Sequence, residues 1–307
     1  MLRLNWDGRA PFKFPGTRSW KTQEVFGSGE PNILCHAECR QGMSSLLEEF
    51  GQQVDLIYMD PPFATGRHFF YADPERGEQL AYSDLFELEE YLALMEGVLI
   101  LTKALLSEKG TFWLHCDWRA DWALRALIRE IFGPESLINR VIWHYTGGGR
   151  SKKRFSRKHD TILWVAKGTS WYFDIDSVRQ PYKATSGFAQ SGIRSKSGKH
   201  YLPNPLGTPV DDVWDIPIVN PMAKERNGYP TQKPEVLLER IIRSSSDVGM
   251  LVLDPFSGSG TTLSVAHRLN RRWIGLDRGD CAIGVCKDRL EAQRANFKLL
   301  ALEQPSR

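Results

Sequence analysis

Short apolar runs alternate with longer amphipathic stretches along this chain, and this alternation limits its possible folds more than any other feature. Runs rich in Val, Ile, Leu and aromatic residues are typical of buried strands, whereas apolar residues repeating every three or four positions indicate helices. Strands are predicted at 32–38, 54–60, 110–117, 140–145, 161–167, 250–256 and 271–277, and helices at 44–50, 86–107, 121–133, 234–246 and 261–270. The pattern predicts an α/β fold with a doubly wound, mostly parallel sheet, in which ligands bind beyond the carboxyl ends of the strands.

Residues 168–227 interrupt this alternation. They are rich in Gly, Ser, Pro and Lys and contain no long periodic segment, and about 60 such residues are too many for a simple loop. We therefore predict an inserted region at 168–227 that divides the core domain into two halves, 30–167 and 228–307, preceded by an N-terminal arm at 1–29.

Composition indicates a globular protein, because 41% of the 307 residues are apolar and 25% are charged. No apolar run approaches the length of a membrane span, and the first residues lack the apolar core of a signal peptide. The odd number of scattered cysteines favours reduced thiols, so we expect a cytoplasmic protein. "CHAEC" (35–39) has no second ligand pair at zinc spacing, so no metal site is predicted.

Basic residues are concentrated in two segments, although the net charge is only +3. Residues 146–159 contain six basic side chains and no acid, and residues 179–200 contain five and no acid. Gly, Ser and aromatic residues lie between the charges, a composition typical of loops that follow a phosphate backbone. The predicted DNA-binding residues are Arg150, Lys152, Lys153, Arg154, Arg157 and Lys158.

One predicted strand, 54–60, ends on an unusual tetrapeptide: Asp60, Pro61, Pro62 and Phe63. The simplest interpretation is a strand followed by a turn, because prolines end strands and Asp tolerates turn geometry. The alternative is a rigid platform that holds a hydrogen-bond acceptor and a flat apolar ring beside a ligand.

A second strand end has a similar design in "VLDPFSGSGTTLSVAHRLNRRWIGLD" (252–277). The strand ends at Asp254, a turn with Gly258 and Gly260 follows, and the next strand ends at Asp277. Glycines let the backbone approach a ligand, and the second acid suits the hydroxyls of a ribose. The turn lacks the Lys of a phosphate-binding loop and has Leu263 where a dinucleotide fingerprint needs Gly or Ala. A nucleoside cofactor without pyrophosphate, such as S-adenosylmethionine, fits better.

Together, "DPPF" (60–63) and "DPFSGSGTT" (254–262) resemble the motifs of the DNA amino-methyltransferases, which transfer a methyl group from S-adenosylmethionine to N6 of adenine or N4 of cytosine. The tetrapeptide precedes the basic insert, "YPTQKPEVLLERII" (229–242) and the glycine turn. This circularly permuted order is similar to that of the beta class. The resemblance covers about residues 30–290 and implies a Rossmann-like methyltransferase fold, with 168–227 in the place of the target-recognition region.

The resemblance also implies roles for individual residues. Asp277 would hold the ribose, and Glu38 would contact the adenine ring unless it is only a strand-end acid. Thr231 and Lys233 match the segment that closes over the methionine part. The predicted methionine-side pocket consists of Asp254, Phe256, Ser257, Gly258 and Gly260. The segment 147–159 joins two strands where this fold faces DNA.

The predicted chemistry is direct methyl transfer to the amino group of a flipped base. Asp60 and the carbonyl of Pro61 would accept hydrogen bonds from that group, Pro62 would help to fix the backbone, and Phe63 would stack on the base. Adenine N6 is the expected target, and cytosine N4 stays open because Asp at position 60 occurs with either base. Two alternatives to a DNA methyltransferase are a non-catalytic DNA-binding protein with a degenerate cofactor fold and a structured-RNA methyltransferase. Double-stranded DNA is the expected partner, with a homodimer or a cognate restriction endonuclease as further partners of this class.

Overall fold

A computed structural model of the protein describes residues 3–73, 77–147 and 149–303. Its strands are β1 (Trp20–Phe26), β2 (Asn32–His36), β3 (Val54–Met59), β4 (Arg67–Asp73), β5 (Gly77–Asp84), β6 (Leu106–Cys116), β7 (Leu137–His144), β8 (His159–Ala166), β9 (Ile193–Arg194), β10 (His200–Tyr201), β11 (Val213–Asp215), β12 (Leu251–Asp254), β13 (Arg272–Asp277) and β14 (Phe297–Leu302). Its helices are α1 (Cys39–Phe50), α2 (Leu88–Leu105), α3 (Asp121–Phe132), α4 (Gly187–Ser191), α5 (Glu235–Ser245), α6 (Thr261–Arg268) and α7 (Asp280–Ala292), with a 3-10 helix at Asp176–Val178.

Ten of these strands form one sheet in the order β1-β14-β2-β13-β12-β3-β6-β8-β7-β11. Neighbours from β14 to β6 are parallel, as are β7 and β11, whereas β8 is antiparallel to both β6 and β7, and β1 is antiparallel to β14. The predicted α/β fold with a large, mostly parallel sheet is confirmed. All seven predicted strands belong to this sheet.

Two apolar layers cover the sheet, one on each face. Side chains of α1, α2 and α3, such as Met43, Met95 and Leu127, are buried in one layer. Side chains of α5, α6 and α7, such as Ile241 and Leu263, are buried in the other. The helices differ in how much of their surface is buried: α3 and α5 bury one apolar face, whereas six consecutive residues of α6, 261–266, are buried.

Strands β3 and β12 lie side by side although they are far apart in sequence. Val252 is opposite Leu56, and Leu253 is opposite Ile57. Because the two strands are parallel, their carboxyl ends meet at one edge of the sheet. This pairing brings the two strand-end motifs together.

Several elements were not predicted, and most of them lie at the sheet edges or outside it. Strand β1, within the segment predicted as an N-terminal arm, has largely exposed side chains and so lacks an apolar signal. Strand β11, within 168–227, pairs with β7 and adds an edge strand to the main sheet. The hairpin β4–β5 forms a separate two-stranded sheet whose antiparallel strands pack beside α7. Among the described residues, no helix is both long and apolar enough to cross a membrane.

Candidate active site

A cavity of about 740 Å³ lies at the carboxyl ends of β3, β12 and β13. Its volume is in the range of small-molecule and cofactor sites. It is lined by almost every predicted catalytic and cofactor residue: Glu38, Asp60, Pro61, Pro62, Phe63, Thr231, Lys233, Asp254, Phe256, Ser257, Gly258 and Asp277. The predicted catalytic tetrapeptide and the predicted cofactor loop therefore share one chamber.

Asp60 is held by two basic side chains. The Lys233 ammonium donates to Asp60 Oδ2, and His115 Nδ1 lies 3.1 Å from Asp60 Oδ1. The His115 contact is poorly aligned for a hydrogen bond, so Oδ1 retains acceptor capacity. Burial opposes ionisation of Asp60, but the charges of Lys233 and His115 outweigh it and lower the pKa to about 2. At neutral pH, Asp60 is an ionised acceptor.

His115 connects Asp60 to a second carboxylate. Its ring is fully buried, and its Nε2 lies 3.3 Å from Asp160 Oδ2. Burial disfavours a charged ring, but Asp60 and Asp160 outweigh it and raise the pKa of His115. The Tyr145 hydroxyl donates to the other Asp160 oxygen at 3.2 Å. This chain of polar contacts from Asp60 to Tyr145 was not predicted from the sequence. The histidine inside the apolar run "GTFWLHCD" (110–117) was the available signal of a buried polar site.

A buried carboxylate, Asp84, fixes the loop that follows the tetrapeptide. It accepts backbone N–H groups from Phe63 at 3.3 Å, Ala64 at 2.8 Å and Thr65 at 3.0 Å. Ala64 has a positive φ of 53°, which an L residue adopts only when its surroundings hold it. The Phe63 ring packs edge-on against His115, with centroids 5.1 Å apart. Asp84 was also missed, because it acts from β5, about 20 residues away in the chain.

The glycine turn after β12 is tied to the end of β13. Both the backbone N–H and the hydroxyl of Ser257 donate to the Leu276 carbonyl, at 2.9 and 3.0 Å. Gly258, with φ of 48°, donates its N–H to Asp277 Oδ2 at 2.9 Å. A Cβ on Gly260 would lie 2.5 Å from Cys286 Sγ. Gly260 is therefore needed where the turn packs against α7, and it is not among the residues that line the cavity.

The two strand-end acids of this half have raised pKa values. Asp254 is 2% exposed and accepts from the Phe256 N–H at 3.0 Å. Burial, with the nearby charges of Asp60 and Asp277, raises the pKa of Asp254 to about 7. Burial also raises the pKa of Asp277 despite its N–H bonds from Gly258 and Gly279. Both groups carry an electrostatic cost that a cationic ligand would relieve.

Glu38 caps a helix as well as lining the cavity. Its Oε2 accepts the Gln41 N–H at 2.9 Å at the start of α1, and its Oε1 lies 3.2 Å from Arg40 Nε. Burial opposes ionisation, but the Gln41 hydrogen bond and Arg40 lower the pKa of Glu38. Part of the reason for an acid at this position is therefore structural.

The hairpin β4–β5 and the segment around Thr231 contact each other, and both line the cavity. Thr231 has a positive φ of 59°, and its hydroxyl is 3.1 Å from the Tyr82 hydroxyl of β5. Tyr82 stacks on Phe69 of β4 with centroids 4.7 Å apart, and both rings line the cavity. The hairpin is a wall of the site that was missed from the sequence. Lys233 contacts Asp60 in this structure, and its predicted place beside the methionine part stays a prediction.

The predicted basic loop connects β7 to β8, as the sequence predicts, and Gly148 lies outside the described residues. Arg150, Lys152, Lys153 and Arg154 are exposed. Arg157 stacks on Trp118, 3.5 Å from the ring centroid. Lys158 turns back and donates to the Gly147 and Gly149 carbonyls. Four of the six predicted cations therefore point away from the fold, and two brace the loop.

The cavity has the chemistry of a site for S-adenosylmethionine. Its carboxyl groups outnumber its basic side chains: Glu38, Asp60, Asp84, Glu90, Asp254 and Asp277 against Arg40, Lys233 and Arg278. S-adenosylmethionine carries a sulfonium and an ammonium, which complement this excess, and a ribose, whose hydroxyls can bond to a strand-end acid. Phe256 and Phe63 supply apolar walls. The described residues contain no group of three or more His, Cys, Asp or Glu arranged to hold a metal ion.

Comparisons with known proteins agree with this geometry. A family model for DNA methylases of the N6/N4 type matches residues 54–285. The chain is 30% identical to the type II methyltransferase M.ScaI of Streptomyces caespitosus, over 81% of this chain and 79% of that protein. It is 32% identical to the DNA adenine methyltransferase YhdJ of Escherichia coli (strain K12), over 82% and 80%.

Solved structures show the same fold. The M1.HpyAVI complex with S-adenosylmethionine superposes with a TM-score of 0.56 at 19% identity, over 84% of this chain and 98% of that one. The cytosine-N4-specific PvuII DNA methyltransferase gives a TM-score of 0.56 at 17% identity, over 85% and 89%. The family match and the curated relatives together identify the chain as a member of the N6/N4 DNA methylase family, an S-adenosylmethionine-dependent enzyme that methylates exocyclic amino groups of DNA bases.

Proposed function

We propose that this enzyme methylates N6 of adenine at a specific sequence in double-stranded DNA, with Asp60–Phe63 as the catalytic segment. The observation that carries the catalytic assignment is the shared cavity, in which an ionised Asp60 and the Phe63 ring lie in the same chamber as the cofactor loop. The choice of adenine is supported by the relative YhdJ, which is named a DNA adenine methyltransferase.

Asp60 and Pro61 prepare the amino nitrogen for attack. That nitrogen is a poor nucleophile because its lone pair is delocalised into the base. The Asp60 carboxylate and the Pro61 carbonyl accept its two N–H groups, which turns the lone pair out of the ring plane. S-adenosylmethionine supplies an electrophilic methyl group on its sulfonium. Because its pKa is about 2, Asp60 stays ionised and accepts rather than donates.

Neighbouring residues hold these groups in place before the base arrives. Asp84 holds the backbone after the tetrapeptide through three N–H groups. His115 packs against both Asp60 and Phe63, so it is a positioning residue for the acceptor and the stacking ring. Preorganisation of this kind lowers the barrier because the groups need not reorient during reaction. Stacking on Phe63 offsets about 1 to 3 kcal/mol of the cost of flipping the base.

The cofactor roles follow from the second half of the cavity. We assign the methionine side to Asp254, Phe256, Ser257 and Gly258, and the ribose to Asp277. The Asp277 oxygens accept the backbone N–H groups of Gly258 and Gly279, and a carboxylate has further acceptor capacity for a ribose hydroxyl. Lys233, Thr231 and Glu38 also line this cavity and complete the proposed set.

DNA recognition is assigned to two parts outside the cavity. The basic loop contacts phosphates, and the region 168–227 reads the target sequence between the two core halves, 30–167 and 228–307.

The type II relatives support a restriction-modification setting with a cognate endonuclease, and a homodimer is part of the proposal from the family resemblance. A DNA substrate implies work in the compartment that holds DNA, which in bacteria is the cytoplasm. Sedimentation velocity would test the dimer.

Nucleoside mass spectrometry tests the target base. Unmethylated genomic DNA is treated with enzyme and S-adenosylmethionine, digested and analysed, with Asp60→Asn enzyme as the matched control. We expect N6-methyladenine with the native enzyme and about a hundredfold less, or lower still, with the variant in the same reaction time. N4-methylcytosine in its place would overturn adenine as the target while leaving the enzyme class intact.

A further inference from the structure

One large apolar side chain stands alone at the tip of the basic loop. Phe155 is 99% exposed, more than any other large apolar residue of the described chain. Water contact on every face of a phenyl ring costs free energy that burial would recover. An exposed ring of this kind, surrounded by cations, suggests a partner that is both anionic and able to cover an aromatic face.

The loop presents this ring on an ordered tip. The Ser151 backbone N–H donates to Ser156 Oγ at 2.9 Å, which closes a turn across Lys152–Phe155. The Lys153 N–H also donates to Ser151 Oγ at 3.2 Å. After the tip, Arg157 stacks on Trp118, two residues beyond the end of β6. Phe155 is thus held out by hydrogen bonds at its base and by a cation–π contact to a residue just beyond the strand that carries His115.

The base of the loop also touches the catalytic site. Tyr145 begins the loop and Asp160 follows it, and the two side chains are hydrogen-bonded. Asp160 contacts His115, which contacts Asp60. Phe155 and Asp160 are five positions apart in the chain, a span of at most about 18 Å. The major groove is about 8.5 Å deep, so this length of chain permits a tip anchored at the catalytic edge to reach the base stack.

We propose that Phe155 inserts into the base stack of duplex DNA and fills the space left by the flipped target base. The inference rests on the proposed DNA substrate and adds a residue to its recognition. Arg154 and its lysine neighbours contact the phosphates on either side, which brings the ring to the stack. Apolar wedges between base steps are a known means of unstacking DNA. Phe155 and Phe63 then act as a pair, one replacing the base in the helix and one receiving it in the cavity.

The test compares two duplexes that contain the same methylation site, located beforehand by sequencing modified bases in DNA treated with the native enzyme. In one duplex the target base is paired, and in the other it faces an abasic site. Single-turnover methylation is measured for Phe155→Ala, Phe155→Trp and the native enzyme. Val248→Ala is the matched control, since Val248 is 66% exposed and precedes β12, at the opposite edge of the sheet.

We expect Phe155→Ala to slow methylation of the paired duplex by about 5- to 150-fold, the range that corresponds to losing one base–aromatic stack. On the abasic-opposite duplex, where no partner resists flipping, the variant should be within about threefold of the native enzyme. Phe155→Trp should be near native on both duplexes, and Val248→Ala should be unchanged. The triple variant Lys152→Ala, Lys153→Ala, Arg154→Ala should weaken binding to both duplexes alike, because phosphate contacts do not depend on base pairing.

Equal slowing of both duplexes by Phe155→Ala, or no slowing of either, would overturn the wedge. The comparison uses whichever base carries the methyl group, so cytosine methylation would reject the proposed target base without deciding this test. Because the Phe155 ring is almost wholly in solvent, its removal should leave the melting temperature unchanged, and circular dichroism melts would verify that.

Discussion

Asp60 and Asp254 end neighbouring parallel strands and line one cavity, yet their carboxyl groups differ in proton affinity. The pKa of Asp60 is lowered to about 2, whereas that of Asp254 is raised to about 7. Burial acts in the same direction on both. The difference comes from partners: Asp60 has the cations of Lys233 and His115, and Asp254 has neutral donors, the Phe256 N–H and the Thr262 hydroxyl.

This contrast separates two functions that begin with the same sequence, a strand followed by Asp-Pro. An acid that is already paired is an acceptor with a fixed charge, ready for the amino group of the base. An acid that is buried without a cation is a site whose electrostatics are completed by a positive ligand. In the proposed mechanism, one cavity therefore has a prepared catalytic side and a cofactor side whose buried acid a cationic ligand would stabilise.

The largest expected effect is on the catalytic side. Asp60→Asn keeps the size of the side chain but removes the charge that accepts hydrogen bonds as the amino nitrogen rehybridises. Single-turnover methylation should fall by about a hundredfold or more, while the affinity for S-adenosylmethionine changes less than threefold. Rapid-quench assays and calorimetric titration measure the two quantities. Methylation within tenfold of native would remove Asp60 from the catalytic role.

The same substitution on the cofactor side should have the opposite profile. Asp254→Asn removes a carboxylate beside a cationic ligand, and hydrogen bonds to charged groups contribute about 1.5 to 3 kcal/mol. We expect the dissociation constant of S-adenosylmethionine to rise by roughly tenfold or more, with the single-turnover rate at saturating cofactor much less affected. Calorimetric titration at pH 8 measures the affinity. Unchanged binding would place Asp254 outside the ligand contacts.

Asp254→Asn should stabilise the cofactor-free protein, although it weakens cofactor binding. Because the pKa of Asp254 is raised to about 7, the folded protein holds a proton that the unfolded chain releases near pH 4. The native enzyme therefore loses stability as pH rises from about 4 to 7, by at most about 4 kcal/mol from this group. Asp254→Asn has no charge to bury. Without cofactor, its melting temperature should exceed the native value by a few degrees at pH 8 and by less at pH 5, measured by calorimetry.

The sequence was sufficient for features that have a local pattern. Strand-end acids at Asp60, Asp254 and Asp277 follow apolar runs, and the parallel sheet that these runs predict brings carboxyl ends together. The pairing of β3 with β12, far apart in the chain, was not predicted and is a finding of the structure. Gly260 was predicted correctly as part of a tight turn, but its small size serves packing against Cys286.

Features that depend on long-range contact had no such pattern. His115, Asp84 and Lys233 approach the tetrapeptide from β6, β5 and the segment before α5, and nothing in the spacing of these residues indicates that they meet. The edge strand β1 was missed because its side chains are mostly exposed. Whether a carboxyl group is paired with a cation, which decides between the two functions above, could be learned only from the fold.

The smallest expected effect is the release of protons when the cofactor binds, and it reports most directly on the protonation of Asp254. At pH 7 a group with pKa of about 7 is half protonated, and a cationic ligand beside it favours the ionised form. Binding of S-adenosylmethionine should therefore release about half a proton at pH 7 and more at pH 6. Calorimetric titrations in buffers of different ionisation enthalpy measure the number of protons released. S-adenosylhomocysteine, which lacks the sulfonium charge, should release less, and Asp254→Asn should release fewer protons than the native enzyme. Equal release by the native enzyme and the Asn variant would show that the proton comes from another group, and the division of the cavity into a paired and an unpaired acid would fail.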